Sequence, residues 1–288
     1  MTGQQLLALG ITASLMALVF SLGLKAADGD LLYLIRRPGK LVRSILAMNI
    51  IMLIFAIGVA WLFPLALEIK VALIALAVSP VPPILPGKQT KAGGRESYAL
   101  SLLVIASLVA IVLVPISIEV VGRIFHGEYH MPVARVVPPV LTTVIAPLVL
   151  GVVVRKLLPA PAERLAHPIS LLALILLLVA AIPVVVTTGI TFWSLVGNGV
   201  VALLVVFTVL GLVVGHLFGG PEPEDRTVLA LATGTRHPGV AIAIASLNFP
   251  DAKAAALSVM LWHLIIGAIV SMPYVRCRHR PERADASR

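Results

Sequence analysis

The sequence predicts an all-α polytopic membrane protein with about nine transmembrane helices. Of its 288 residues, 59% are hydrophobic and only 12% are charged, a balance that soluble domains of this size do not have. The apolar residues gather in runs of about 20, the length that crosses a bilayer as a helix. Two of these runs are interrupted by proline at corresponding places in the two halves of the chain. The sequence therefore predicts an inverted-repeat transporter fold with two broken helices that cross.

Nine apolar runs are predicted to be transmembrane spans. They cover residues 4–24, 41–63, 65–86, 97–121, 135–157, 168–188, 192–218, 227–249 and 253–275. We expect residues 1–275 to form a single transmembrane domain and residues 276–288 to form a basic cytoplasmic tail. The single cysteine, Cys277, excludes an intrachain disulfide and a cysteine metal cluster.

The charges of the connecting loops predict the orientation of the chain. The net charge of +9 comes largely from basic residues in the odd-numbered loops and the tail. The positive-inside rule places such segments in the cytoplasm, so this charge does not indicate nucleic-acid binding. The seventh loop is the exception, since it carries Glu222, Glu224 and Asp225, but acidic residues count for little in that rule. We expect a bacterial inner membrane protein with its N-terminus outside and its C-terminus in the cytoplasm.

The eighth run contains the most unusual stretch, which reads LATGTRHPGVAIAIASL. Pro238 has no N–H to offer the carbonyl of Gly234, so the helix is expected to break there. Glycines at positions 234 and 239, on either side of the break, lower the cost of unwinding. Arg236 and His237 then lie near the membrane midplane, where an ionisable residue indicates a functional site. The alternatives are that Arg236 lies nearer an interface, or that it pairs with a carboxylate elsewhere.

The third run is interrupted by four prolines, and Ser79 is followed by Pro80, Pro82 and Pro83. Each proline deprives the carbonyl four residues earlier of its helical hydrogen bond, so Pro83 frees the carbonyl of Ser79. A freed carbonyl within a membrane needs a partner from a neighbouring helix, a water molecule or a cation. The alternative is a helix that simply ends at Ser79 and is followed by a loop.

The two breaks occupy equivalent places in a predicted internal repeat. Each falls in the third span of its half, at a similar distance from the start of that half at Gln4 or Pro168. The first half starts outside and the second starts inside, which indicates inverted topology. In transporters of this kind the paired broken helices mark the binding site.

Three stretches of the chain resemble a known family. The opening LMALVFSLGLKAADGDLLYLIRRPGKL resembles its first conserved block, and Ser79 and Pro80 lie where it has a Cys-Pro-Gly-Gly-like break. The stretch TGTRHPGVA from Thr233 resembles its Glu-Thr-Gly-x-Gln-Asn-x-Gly-x-Ala motif. The family is that of the bile acid:sodium symporters, and the resemblance covers essentially the whole chain. It implies a core domain in which two broken helices cross, an interleaved panel domain, and an organic anion bound between them.

The chain departs from this family at the residues that the resemblance assigns to sodium. The Glu and Gln that contribute to the family's sodium sites align with Ala232 and Arg236, and the Asn after the Gln aligns with His237. Ala232 offers no ligand, and Arg236 would repel a cation. The resemblance therefore implies the fold and transport, but not sodium coupling through the usual sites.

These observations predict a secondary transporter of a small organic anion, such as a carboxylate or a bile-acid-like molecule. The guanidinium of Arg236 has the fork geometry that suits a carboxylate, and the half-helix from Pro238 presents its positive dipole end to the break. The predicted substrate-binding residues are Arg236, His237, Thr233, Thr235, Ser79 and Pro82, and the predicted helix-break residues are Gly234, Pro238, Gly239, Pro80 and Pro83.

Several functional alternatives remain open at this point. The coupling ion is expected to be sodium or a proton, and His237, which titrates near neutral pH, is predicted either to bind that proton or merely to cap the following half-helix. One alternative is a sodium-dependent symporter that uses backbone ligands, and another is a non-transporting receptor on the same scaffold. No cofactor, metal centre or enzyme activity is expected, since catalytic motifs are missing from the sequence. The expected partners are the anionic substrate and the lipid bilayer, and the oligomeric state stays undetermined.

Overall fold

All regular secondary structure in the described part of the chain is helical. A computed structural model describes residues 3–125, 132–194, 199–248 and 253–278. The helices are α1 (Gly3–Lys25), α2 (Pro38–Ile45), α3 (Met52–Leu62), α4 (Leu67–Val78), α5 (Leu85–Lys91), α6 (Glu96–Phe125), α7 (Val133–Val140), α8 (Ala146–Leu157), α9 (Pro159–Ser194), α10 (Val200–Phe218), α11 (Pro223–Gly234), α12 (Pro238–Asn248) and α13 (Lys253–Arg278). Short π-helical segments, Leu46–Ile51 and Leu141–Ile145, join α2 to α3 and α7 to α8.

The helices confirm the prediction of an all-α polytopic membrane protein. Within the described residues, seven helices are long and apolar enough to cross a bilayer. The predicted eighth span is divided between two short helices, α11 and α12. The predicted third span, residues 65–86, contains α4 and a break, and the second helix, α5, begins at its end and extends beyond it to Lys91. None of these four helices is long enough alone to cross a bilayer. The division of these two segments confirms the predicted broken helices, while the total of nine spans stays a prediction.

The boundaries around the sixth span differ from those predicted. The sixth span was expected to begin at Pro168, but α9 begins at Pro159 and runs through Pro168 and Pro183 to Ser194. Proline lacks one N–H but does not end a helix that packing holds in place. Here Ala162 and Ala166 are buried against Leu24 of α1, which favours an early start for α9. The predicted tail also begins within α13, and its residues 279–288 lie outside the described part.

Two groups of helices pack closely. Helix α1 lies against α8 and α9, whereas α4, α12 and α13 contact one another around the breaks and α10 lies against α11 and α13. Small residues allow the closest approaches: a Cβ at Gly151 in α8 would lie 2.9 Å from the Cα of Gly23 in α1. Without a hydrophobic driving force between helices in lipid, this close van der Waals contact is a main source of association.

Two glycines of α10, Gly211 and Gly215, and Gly219 directly after it are spaced four residues apart and line the contact with α11. A Cβ at Gly211 would lie 2.7 Å from both the Cα of Gly234 and the carbonyl oxygen of Thr233, and one at Gly215 would lie 2.6 Å from the Cα of Ala230. A Cβ at Gly219 would meet the backbone of Arg226. The glycines of α10 therefore hold the backbone of α11 in direct contact, next to the break.

Substitution of Gly211 tests this contact. Because the obstructing atoms belong to the backbone, Gly211→Ala should destabilise the protein by about 1–3 kcal/mol, the usual cost of overpacking. A thermal-unfolding series in detergent measures the change. The matched control is Gly58→Ala in α3, where a Cβ has no neighbour within 4 Å and should have little effect or stabilise slightly. Equal melting temperatures for the two variants would contradict the close contact of α10 and α11.

Candidate functional site

The two broken segments cross and are hydrogen-bonded to each other. Helix α4 ends at Val78 and α5 begins at Leu85, while α11 ends at Gly234 and α12 begins at Pro238. The backbone N–H of His237 donates to the carbonyl of Pro80 at 3.0 Å. Because residues 85–91 are helical, the third span is a broken helix rather than a helix followed by a loop. The crossing places the breaks of the two halves in direct contact, as predicted.

Local hydrogen bonds explain where α4 stops. Ser79 and Thr235, the first residues of the two breaks, both have extended backbone angles. The hydroxyl of Ser79 donates back to the carbonyl of Ala75 at 2.6 Å, and the N–H of Leu85 donates to the carbonyl of Pro82 at 2.9 Å. Both Ser79 and Pro82 are buried. The carbonyl of Ser79, which Pro83 leaves without its helical donor, therefore faces the interior of the crossing.

Arg236 lies at the centre of the crossing and is completely buried. Its Nη1 donates to the carbonyl of Ser79 at 3.2 Å, and its Nη2 donates to the carbonyl of Met48. Among the residues that the structure describes, its Nε has no hydrogen-bond partner and no carboxylate forms an ion pair with it. The guanidinium thus joins both broken helices and the α2–α3 segment through neutral main-chain carbonyls.

Met48 was not predicted as part of this site. It lies in the π-helical segment Leu46–Ile51, whose wider turn disturbs the regular hydrogen-bond ladder and makes a carbonyl accessible to an outside donor. Such segments occur frequently at functional sites. The surrounding sequence, LAMNII, is apolar apart from Asn49 and contains no proline or glycine, so no local signal indicates the π turn.

The other predicted site residues lie around the same break. The Nδ1 of His237 accepts the N–H of Val240 at 3.4 Å, which is the capping geometry considered for this residue. The hydroxyl of Thr233, fully buried, donates to the carbonyl of Leu229 at 2.8 Å, and Thr235 is partly exposed. Gly234 is the last residue of α11 and contacts α10, so its small size serves close packing as well as the break.

One further buried polar side chain, His263, belongs to α13, which packs against α4 and α12. Its ring packs edge-on against Phe207 with centroids 5.5 Å apart. Neither ring nitrogen has a hydrogen-bond partner within the described part of the protein. A single histidine in an apolar run does not indicate its neighbours, so the position of His263 follows only from the packing of α13.

A second polar cluster joins three connections at one face of the helix bundle. The carboxylate of Asp225, fully buried, accepts hydrogen bonds from the Tyr33 hydroxyl at 2.9 Å, from Arg95 Nε at 2.7 Å and from Lys40 Nζ. Glu222 pairs with Lys40 at 3.0 Å, and Glu224 pairs with Arg95 at 2.9 Å. The acidic seventh loop therefore neutralises basic residues of the first and third loops.

The balance of effects on Asp225 favours its charged form. Burial of the carboxyl opposes ionisation, but the hydrogen bonds from Lys40, Arg95 and Tyr33 outweigh burial and hold the pKa of Asp225 below its ordinary value. Hydrogen bonding to Lys40 likewise lowers the pKa of Glu222. The cluster is thus a network of charged groups that requires Asp225 to remain ionised.

Contacts between distant loops place the odd-numbered connections on one face. Besides the Asp225 cluster, Lys156 of the fifth loop lies 3.5 Å from Asp28 of the first. Arg278, at the end of α13, donates to the hydroxyl of Thr227 at 3.0 Å. The described parts of the segments predicted to be cytoplasmic therefore share a side. The assignment of that side to the cytoplasm stays a prediction.

Comparison with known proteins identifies relatives of this architecture. Residues 12–195 match the family described as the Sodium Bile acid symporter family. The chain is similar to the uncharacterized sodium-dependent transporter YocS of Bacillus subtilis, with 24% identity over 274 residues that cover 91% of this chain and 81% of that protein. It is also 28% identical over 175 residues to sodium/bile acid cotransporter 5 of Mus musculus, covering 58% of this chain and 39% of the relative.

A further relative is the P3 protein of Bos taurus, 27% identical over 236 residues that cover 79% of this chain and 48% of that protein. The matches thus span most of the bacterial relative but less than half of the mammalian ones. Together with the crossing of two broken helices, the match over residues 12–195 shows that this chain belongs to the sodium bile acid symporter family.

Proposed function

We propose that this protein is a secondary transporter that moves a small organic anion across the membrane by binding it beside the helix crossing. The observation that carries the proposal is the charge of Arg236, which is fully buried and is paired only with neutral carbonyls among the described residues. A buried charge without a counter-ion is strongly destabilising, and a bound anion would compensate it. Membership in a transporter family supports transport rather than an enzymatic role.

The geometry of the crossing suits an anionic group in two further respects. A guanidinium has five N–H donors in a rigid fork, and within the described part of the chain two nitrogens of Arg236 donate to protein acceptors. Helix α12 begins at Pro238, so its positive dipole end and first N–H groups point toward the break. Both features favour a carboxylate or a sulfonate over a cation or a neutral sugar.

The proposed substrate contacts are the residues predicted from the sequence, but two of them would not use their side-chain hydroxyls. The hydroxyls of Thr233 and Ser79 are already bonded within their own helices, so these residues would act through their backbone and through shape. Arg236 would supply the charge, while His237, Thr235 and Pro82 would line the approach. In this proposal α1, α8 and α9 form the panel, and the broken helices belong to the core.

We further propose that uptake does not use sodium at the positions of Ala232 and Arg236. Ala232 is fully buried and has no side-chain oxygen, and the guanidinium of Arg236 already occupies the neighbouring carbonyls. A sodium ion about 4 Å from that charge would be repelled by about 4 kcal/mol at an effective dielectric constant of about 20. This proposal sets the chain apart from the sodium dependence that its bacterial relative is named for.

For His237, the observed geometry supports the capping role. Its Nδ1 accepts a backbone N–H and therefore carries no proton, which assigns the neutral ring to this conformation. A proton-coupling role would require that hydrogen bond to open when the substrate binds. The variant His237→Gln keeps a hydrogen-bond acceptor but has no titratable group at this position. Its anion uptake under an imposed pH gradient should therefore equal that of the wild type.

Uptake into proteoliposomes tests the proposed function. We expect saturable counterflow of at least one organic anion from a panel of carboxylates and sulfonates, at equal rates in sodium and in choline medium. Saturable stimulation by sodium would contradict sodium independence and favour a symporter that uses backbone ligands. Specific binding of an anion with no flux under any gradient would instead favour a non-transporting receptor.

A further inference from the structure

The crossing contains a cation that belongs to the protein itself. The guanidinium of Arg236 has no exposure to solvent, and its two terminal nitrogens each donate to a main-chain carbonyl, one from Ser79 and one from Met48. These carbonyls come from segments far apart in sequence, the break after α4 and the π-helical segment before α3. One buried charged group therefore holds together three pieces of irregular backbone.

Both carbonyls lie where the regular α-helical hydrogen-bond pattern is interrupted. Pro83 has no N–H with which to bond Ser79, and Met48 lies in the wide turn of the π-helical segment. Clustered carbonyl oxygens within a membrane are the means by which proteins replace the hydration shell of a monovalent cation. In this protein the same kind of oxygen cluster receives a side chain.

We propose that the guanidinium of Arg236 is a resident cation, which permanently fills a carbonyl-lined monovalent cation site at the crossing of the two broken helices. Without that side chain, the site binds a monovalent cation from solution. This inference deepens the proposed transport function, on which its role in the transport cycle rests. A tethered charge cannot leave with the substrate, so the crossing stays assembled whether or not external ions are present.

The guanidinium excludes a dissolved cation from these carbonyls. The two positive charges would repel at short distance, so they cannot share the same oxygen atoms.

The experiment measures cation-dependent stability of purified Arg236→Ala in detergent, without any transport. Its melting temperature is expected to rise saturably by several degrees with sodium, potassium or methylguanidinium chloride, compared with choline chloride at equal ionic strength. Ligand binding to the folded state alone produces such a rise. Wild type and Arg236→Lys, which both keep a positive charge in the site, should respond to these salts no more than to choline. If Arg236→Ala does not fold, Arg236→Gln, which retains an amide donor, takes its place.

Two results would overturn the proposal. One is a folded neutral variant that none of the three cations stabilises, and the other is a wild-type protein that sodium itself stabilises saturably. The wild type could fail to transport any anion while cations still stabilise the neutral variant. That combination would contradict the proposed transport function but support the cation site. The two inferences can therefore fail separately.

Discussion

Replacing Arg236 with lysine is expected to reduce organic-anion uptake at least tenfold while the protein still folds. Lysine keeps the charge but loses the planar fork with which the guanidinium reaches the carbonyls of Ser79 and Met48. The loss of one hydrogen bond to a charged group corresponds to about 1.5–3 kcal/mol, which is roughly a tenfold to hundredfold effect on affinity or rate. Uptake kinetics in proteoliposomes, with size-exclusion profiles to verify folding, measure the change.

The matched control for this variant is Arg123→Lys. Arg123 is 79% exposed at its side chain and pairs with Glu119 one turn earlier, so uptake should not change. Replacement of Arg236 by alanine should abolish uptake, since it removes both the hydrogen bonds and the charge. If Arg236→Ala left substrate affinity and flux as in the wild type, the arginine would have a purely structural role.

The second large effect is expected from Asp225→Asn. The substitution keeps the size of the side chain but removes the charge that Lys40 and Arg95 share, and the breaking of a buried ion pair costs about 3–5 kcal/mol. Because Lys40 and Arg95 are partly exposed and keep Glu222 and Glu224 as partners, we expect a loss nearer about 2–3 kcal/mol. Thermal unfolding in detergent at neutral pH measures it.

Two comparisons separate this role from a general effect of acidic residues. Glu224→Gln removes the ion pair between Arg95 and Glu224, whose own side chain is 55% exposed. The loss of folding stability should therefore be less than about 1 kcal/mol. An Asp225→Asn protein as stable as Glu224→Gln would show that the buried cluster does not stabilise the fold.

The second comparison uses pH. Since folding lowers the pKa of Asp225, its charge stabilises the folded state above the unfolded pKa of about 3.9, and that contribution is lost as pH falls through the lower folded value. The stability difference between wild type and Asp225→Asn should therefore shrink below about pH 4.

The breaks could be predicted from sequence because proline acts on its own neighbourhood. Pro238 and Pro83 each remove a specific helical hydrogen bond, whatever surrounds them, and the structure divides both segments at those places. The start of α9 could not be predicted from proline alone. The local sequence predicts a helix that starts at Pro168, but the packing of Ala162 and Ala166 against Leu24 favours a helix that begins earlier and contains this proline.

The acidic seventh loop shows a similar limit. The charges of this loop make it an exception to the positive-inside rule, but they do not indicate which basic residues its carboxylates pair with. In the structure, Asp225 accepts a hydrogen bond from Tyr33, which lies 192 residues earlier in the chain. Pairing over such a separation depends on how the helices pack, and no local pattern of charges encodes it.

The sequence by itself determined that the chain is a helical membrane protein, that two of its segments break, and that one break carries a positive charge. Each of these follows from hydrophobicity or from backbone chemistry within a few residues. Only the tertiary structure decided what that charge contacts. The carbonyl of Met48 lies 188 residues from Arg236 in sequence. It becomes a partner of Arg236 because the packing of the helices brings a π-helical turn and the proline-freed carbonyl of Ser79 to the same buried point.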